Sequence, residues 1–195
     1  MWDMPKFIKV LVACLMCVPS VALAHPHIWV YTDVEVLAQG GLATGLKVHW
    51  NFDELYSASF MHEADQNGDR HLSQNELKHT VDTVFGDNVV NLFPFMHIQF
   101  HQTKGGFAMQ NPKIWMSEDE TLHYQFDIVL DQPVPLKGVH EIGFFDPEFY
   151  VSFEQDYDLR MPTDSNCKAT LEENEKITIY DGLIHPETYT LNCEG

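Results

Sequence analysis

The sequence predicts a mainly β fold of the α+β type: an antiparallel β-sandwich with a helix pair inserted into it. Three observations carry this. Residues 27–36 alternate strictly, with Ile28, Val30, Thr32, Val34 and Val36 on one face and His27, Trp29, Tyr31, Asp33 and Glu35 on the other. Leu122, Tyr124, Phe126, Ile128 and Leu130 repeat that alternation against His123, Gln125 and Asp127. Between these segments the apolar period lengthens: Phe52, Tyr56 and Phe60 recur every four residues, as do Leu77 and Val81.

Each element follows in order. The alternating segment 27–36 is the first strand, Gly40-Gly41 a turn, and 42–50 its hairpin partner. Asn51 followed by Glu54 has the spacing of a helix capping box, so a helix is expected over 52–64 with Asn51 as its cap. A second helix is expected over 73–85, with Gly86 as its C-cap. Short strands then follow at 95–102, 113–117, 121–130, 137–145, 150–154, 167–171 and 176–180. Gly105-Gly106, Asn111-Pro112, Pro133-Val134-Pro135, Asp146-Pro147 and Asp181-Gly182 read as turns between them. Phe144, Phe145, Phe149 and Tyr150 read as core.

The amino terminus reads as an export signal. Lys6 and Lys9 precede an apolar stretch from 10 to 24 that ends Ala22-Leu23-Ala24, a small-x-small cleavage pattern. Residues 1–24 are therefore expected to be removed, leaving His25 first and one domain over 25–195, with the helix–loop–helix inserted at about 52–86. The stretch is short for a membrane span, and a lipid anchor at Cys14 is disfavoured because the apolar run follows that cysteine. A periplasmic location is the expectation. Cys14 and Cys17 would leave with the signal. Cys167 and Cys193 remain as an even pair in an oxidising compartment, which predicts one disulfide.

Composition narrows the function. The 195 residues carry 11 Lys and Arg against 29 Asp and Glu, a formal charge of -18. Phosphate backbones and anionic lipids need cationic side chains, so nucleic acid is disfavoured as a partner. An acidic chain with 11 His suits cations instead.

Two constellations point to metals. Residues 65–76 place Asp65, Asn67 and Asp69 at positions 1, 3 and 5 of a twelve-residue loop, the His71 carbonyl at 7, Ser73 at 9 and Glu76 at 12. This resembles a calcium-binding EF-hand loop, whose spacing wraps hard oxygen ligands around one Ca2+. Position 6 is Arg70, where the sharp turn favours glycine, so binding is expected to be weak and the role structural. The second constellation is His25-Pro26-His27. An α-amine and an imidazole on His25 form a chelate, and His27 adds a nitrogen. Pro26 lacks the amide nitrogen that a square-planar amino-terminal copper or nickel motif needs. A histidine-brace arrangement or an ordinary His cluster for Zn, Ni, Co or Cu remains open. His49 and His123 are candidate further ligands, His49 by facing His27 across the hairpin. His97 and His101 share a face but lie about 13 Å apart along a strand. His62, His71 and His79 are expected at the surface.

These motifs together carry a family resemblance. The signal peptide, His25-Pro26-His27-Ile28-Trp29-Val30, the Trp50-x-Phe52-Asp53-Glu54-x-Tyr56-Ser57 segment, the EF-hand-like loop and Phe145-Asp146-Pro147-Glu148-Phe149-Tyr150 resemble a bacterial domain-of-unknown-function family. Its members are described as the periplasmic component of an uncharacterised ABC-type transport system, often encoded beside nickel/cobalt transporters. The resemblance implies a periplasmic accessory to a transition-metal transporter in the inner membrane, with His25 and His27 matching the family's motif. Two other readings stand beside it: a calcium-braced adaptor docking on a transporter, and a histidine-brace copper oxidase. No Ser-His-Asp elbow, phosphate loop or paired Cys-x-x-Cys is present, so binding is expected rather than catalysis.

Overall fold

A computed structural model describes residues 26–85, 92–100, 105–155 and 159–194. The predicted signal segment, His25, Gly86 and His101 lie outside the described residues. Among the described residues the fold is mainly β, with two sheets and two α-helices. In chain order the strands are β1 (Ile28–Gln39), β2 (Leu42–Phe52), β3 (Met96–Gln99), β4 (Phe107–Met116), β5 (Leu122–Pro135), β6 (Gly138–Phe144), β7 (Val151–Glu154), β8 (Cys167–Glu173) and β9 (Glu187–Cys193). Helices α1 (Glu54–Ala64) and α2 (Gln74–Phe85) stand between β2 and β3.

One sheet has the order β4-β5-β2-β1-β7 and the other β3-β6-β9-β8. All pairs are antiparallel except β1 with β7, which run parallel. A wholly antiparallel arrangement is thereby corrected. Alternation drives the core: Val30, Thr32, Val34 and Val36 are buried, as are Leu122, Tyr124, Phe126 and Ile128. Both sheets feed one core, in which Trp50 of β2 meets Phe144 of β6 edge-on at 6.0 Å. Gly45 marks a close approach, since a Cβ there would sit 2.0 Å from the Ile128 carbonyl oxygen.

The helix start differs from the expected one. Asn51 remains in β2, and Asp53 is the cap: its Oδ1 accepts from the Leu55 and Tyr56 N–H groups. Its Oδ2 accepts from Trp29 N at 2.8 Å, tying the helix start to β1. Asn51 and Asp53 are both good capping residues, and the strand ladder claims the first: Asn51 pairs with Tyr31 and His123. The helices pack on β5 through Phe60 of α1 and Phe85 of α2, each edge-on against Tyr124, as is Phe52 at the end of β2.

Other boundaries move for identifiable reasons. Asn111-Pro112 is a bulge within β4 rather than its start, with Asn111 at φ 53°. Pro133 and Pro135 lie in β5 beyond the end of its β4 pairing, where that edge needs no N–H donor. The strand expected at 176–180 is absent, because Tyr180, Asp181 and Gly182 all take positive φ and reverse the chain. The strand that carries Cys193 is β9 instead. Cys167 and Cys193 face each other in the β8–β9 register and form the predicted disulfide. Phe144 is buried, whereas Tyr150 is about half exposed, correcting its assignment to the core. Asp146 makes the turn before it, its carboxylate accepting from the N–H groups of Glu148, Tyr150 and Val151.

Candidate metal centre

The face of the five-stranded sheet opposite the core carries the polar half of each alternation. Registers there are explicit. Trp115 pairs with His123, His123 with Asn51, and Asn51 with Tyr31; His49 pairs with Gln125 and with Asp33. His49 and His123 are therefore diagonal neighbours. His49 Nε2 and His123 Nδ1 are hydrogen-bonded at 2.9 Å, one nitrogen carrying the proton and the other accepting it. The indole of Trp115 lies nearly parallel to both rings, 5.4 Å from His49 and 5.1 Å from His123 between centroids.

Burial under this stack pushes the His49 pKa below its ordinary value; Asp33 opposes that shift and Arg160 adds to it. Burial likewise lowers His123, its neighbour His49 lowers it further, and Asp119 opposes. Both shifts favour the neutral ring, the form in which imidazole binds a metal. Asn51 Oδ1, on the same face, is sealed from solvent and makes no hydrogen bond. Asp33 is itself engaged, accepting from the Arg160 guanidinium, which also reaches Glu35 at 3.6 Å.

The structure brings His49 and His123 together and keeps His27 apart. His49 faces Asp33, not His27, and His27 is six residues further along β1, about 20 Å at strand rise. His27 instead packs its ring on Tyr150 at 4.9 Å and donates its N–H to the Tyr150 carbonyl. His62, His71 and His79 are exposed, as expected. His97 contacts Glu141 at 3.4 Å, and His140 is wholly buried beside Phe100.

The acidic loop joins α1 to α2. Arg70, at its sixth position, takes φ 64°, the left-handed turn for which glycine is best suited. Asp65 Oδ1 accepts from Gly68 N and Oδ2 from Arg70 N, Asn67 from Asp69 N, and Asp69 from His71 N. Glu76, nearly buried, reaches back to Gln66 N with Oε1 and accepts from the Ser73 hydroxyl and N–H with Oε2. The Ser73 hydroxyl, and then its N–H, hold the Glu76 carboxyl below its usual range. Among the described residues, no three His, Cys, Asp or Glu side chains gather as one metal-holding group. The histidine pair supplies two such side chains, and Asp65, Asp69 and Glu76 of the loop do not gather around one point.

Sequence reasoning had named His49 and His123 but not Trp115, Asn51 or the hydroxyls beside His123. The first two share their face by simple alternation; only strand register shows that they meet.

Fold and site define a mainly β protein with a histidine-bearing polar sheet face. The chain belongs to a family described as protein of unknown function (DUF1007), whose sequence model matches residues 10–182. No curated protein matches it.

Proposed function

We propose that this chain is an exported metal-binding protein serving transition-metal transport, with His49 and His123 as its central ligands. The observation that carries the reading is the 2.9 Å approach of two imidazoles on a polar sheet face. Two nitrogens this close suit adjacent positions around one Zn, Ni, Co or Cu ion, whose bonds to imidazole are about 2.0–2.1 Å. Asn51 Oδ1, on the same face and without a partner, is a candidate further donor. On this reading His27, just before β1, belongs to a separate capture point.

Export to the periplasm is supported by the apolar run ending Ala22-Leu23-Ala24 and by the disulfide. No helix among the described residues is long and apolar enough to cross a membrane. An inner-membrane transporter is the proposed partner, and two sheets sharing one core fit the sandwich architecture. Binding rather than catalysis is the proposed activity.

A second reading rests on the acidic loop. Its oxygen-only donors and the left-handed turn at Arg70 suit a weak, structural Ca2+ bracing α1 against α2. In that reading the protein is an adaptor and the histidine pair is incidental. Calorimetric titration of Zn2+, Ni2+, Co2+ and Cu2+ into the wild type and a His49→Ala/His123→Ala variant separates the two. The transition-metal reading requires binding that the variant loses. Heat from Ca2+ and from none of the four transition metals would favour the adaptor, and equal transition-metal binding by both proteins would remove His49 and His123 as the ligands. Oxygen- or peroxide-dependent turnover of the copper-loaded protein would point to the oxidase.

A further inference from the structure

His123 has a second nitrogen, and it is engaged. Its Nε2 lies 3.0 Å from Thr121 Oγ1. Thr121 closes the β4–β5 hairpin, where Ser117 N donates to the Thr121 carbonyl and Glu120, at φ 62°, turns the chain. That turn stacks three side-chain oxygens: Thr121 Oγ1 is 2.7 Å from Ser117 Oγ and 3.3 Å from Asp119 Oδ1, and Ser117 Oγ also donates to Asp119 Oδ1.

The direction of these bonds follows from which atoms hold protons. The Asp119 carboxylate has none to give, and its pKa is lowered first by the Ser117 hydroxyl. The Ser117 proton is drawn to an oxygen that only accepts, either Asp119 Oδ1 or the Thr121 carbonyl 3.0 Å away. Thr121 then donates its own proton to Ser117 Oγ or Asp119. What Thr121 Oγ1 presents to His123 is a lone pair, so Nε2 of the ring must carry hydrogen. The reverse order would leave the carboxylate short of a donor, and bonds to an ionised acceptor are the stronger ones.

We propose that Thr121, oriented by Ser117 and Asp119, is a positioning residue that fixes His123 in its Nε2–H tautomer, leaving Nδ1 as the ligand atom facing His49. The proposal rests on the reading of the histidine pair as a metal centre. It gives His123 a supporting contact of the kind that ligand histidines need, in which the second ring nitrogen is hydrogen-bonded and the first faces the metal position.

The test uses the metal-free protein and then Zn2+ as probe. Long-range 15N–1H spectra of the uniformly labelled wild type should show His123 protonated at Nε2 and unprotonated at Nδ1. Thr121→Val keeps the shape and removes the hydroxyl; it should lose that tautomer preference and bind Zn2+ about 10–100-fold more weakly. Asp119→Asn should weaken the preference, and amide spectra of both variants should match the wild type away from the hairpin. A wild-type His123 protonated at Nδ1, or Thr121→Val binding Zn2+ as tightly as wild type, would overturn the positioning role. Failure of the wild type to bind Zn2+, Ni2+, Co2+ or Cu2+ while His123 keeps its Nε2 proton would instead refute the metal reading on which the role depends.

Discussion

Ser57 Oγ, on the inner face of α1, accepts a hydrogen bond from the backbone N–H of Leu122 at 2.9 Å, and Ser57 is wholly buried. The same hydroxyl donates to the Asp53 carbonyl at 2.7 Å. Leu122 opens β5 immediately before His123. The inserted helix is thus bonded to the strand that carries the candidate ligand, on the side of the sheet away from it.

That contact predicts a stability effect. Ser57→Ala leaves the Leu122 N–H buried without a partner and should cost about 1–3 kcal/mol. Urea denaturation followed by circular dichroism measures it. A midpoint unchanged from wild type would show that water or a backbone shift replaces the hydroxyl.

Arg70 predicts a gain. Its φ of 64° costs an L-residue about 1–2 kcal/mol, part of which glycine returns through its greater freedom in the unfolded chain. Arg70→Gly should therefore raise stability by about 0.5–1 kcal/mol and tighten any Ca2+ affinity. Thermal melts with and without millimolar calcium read both. A variant less stable than wild type would contradict the turn geometry.

The disulfide spans 26 residues between paired strands. Chain-entropy arithmetic for a loop of that size gives about 3.5 kcal/mol. Cys167→Ser/Cys193→Ser should lower stability by up to that amount, checked by denaturation of the oxidised wild type against the variant. Two free thiols in mass spectra of the wild type would remove the basis of the prediction.

The histidine pair predicts a pH dependence. Burial lowers both pKa values below the ordinary value near 6.5. The unfolded chain then takes up protons before the folded one does. The contribution is present above about 6.5 and is lost as pH falls through the depressed folded values. Between pH 7.5 and 5, the wild type should lose more stability than His49→Gln/His123→Gln. Parallel curves would show that neither ring is perturbed.

Much of this architecture was legible in residue order. Alternation in 27–36 and 122–130 gave the buried faces of β1 and β5, because one period of two divides core from surface on each strand. Leu77 and Val81 placed α2, and cysteine parity gave the disulfide. The cap was misplaced by two residues because Asn51 and Asp53 are equally suited to it, and only pairing with Tyr31 and His123 holds Asn51 in the ladder. The candidate site was half legible. His49 and His123 could be named from face and residue type, but their diagonal contact depends on register between strands more than 70 residues apart in sequence. Spacing along the chain does not encode that register.

The most direct measurement is the metal content of protein purified from the periplasm with an authentic His25 terminus. Elemental mass spectrometry would compare the wild type with His49→Ala/His123→Ala and with His25→Ala/His27→Ala. The account predicts about one equivalent of Zn, Ni, Co or Cu that persists when His25 and His27 are replaced and disappears when His49 and His123 are. Calcium alone in all three proteins, or a transition metal lost only with His25 and His27, would contradict it.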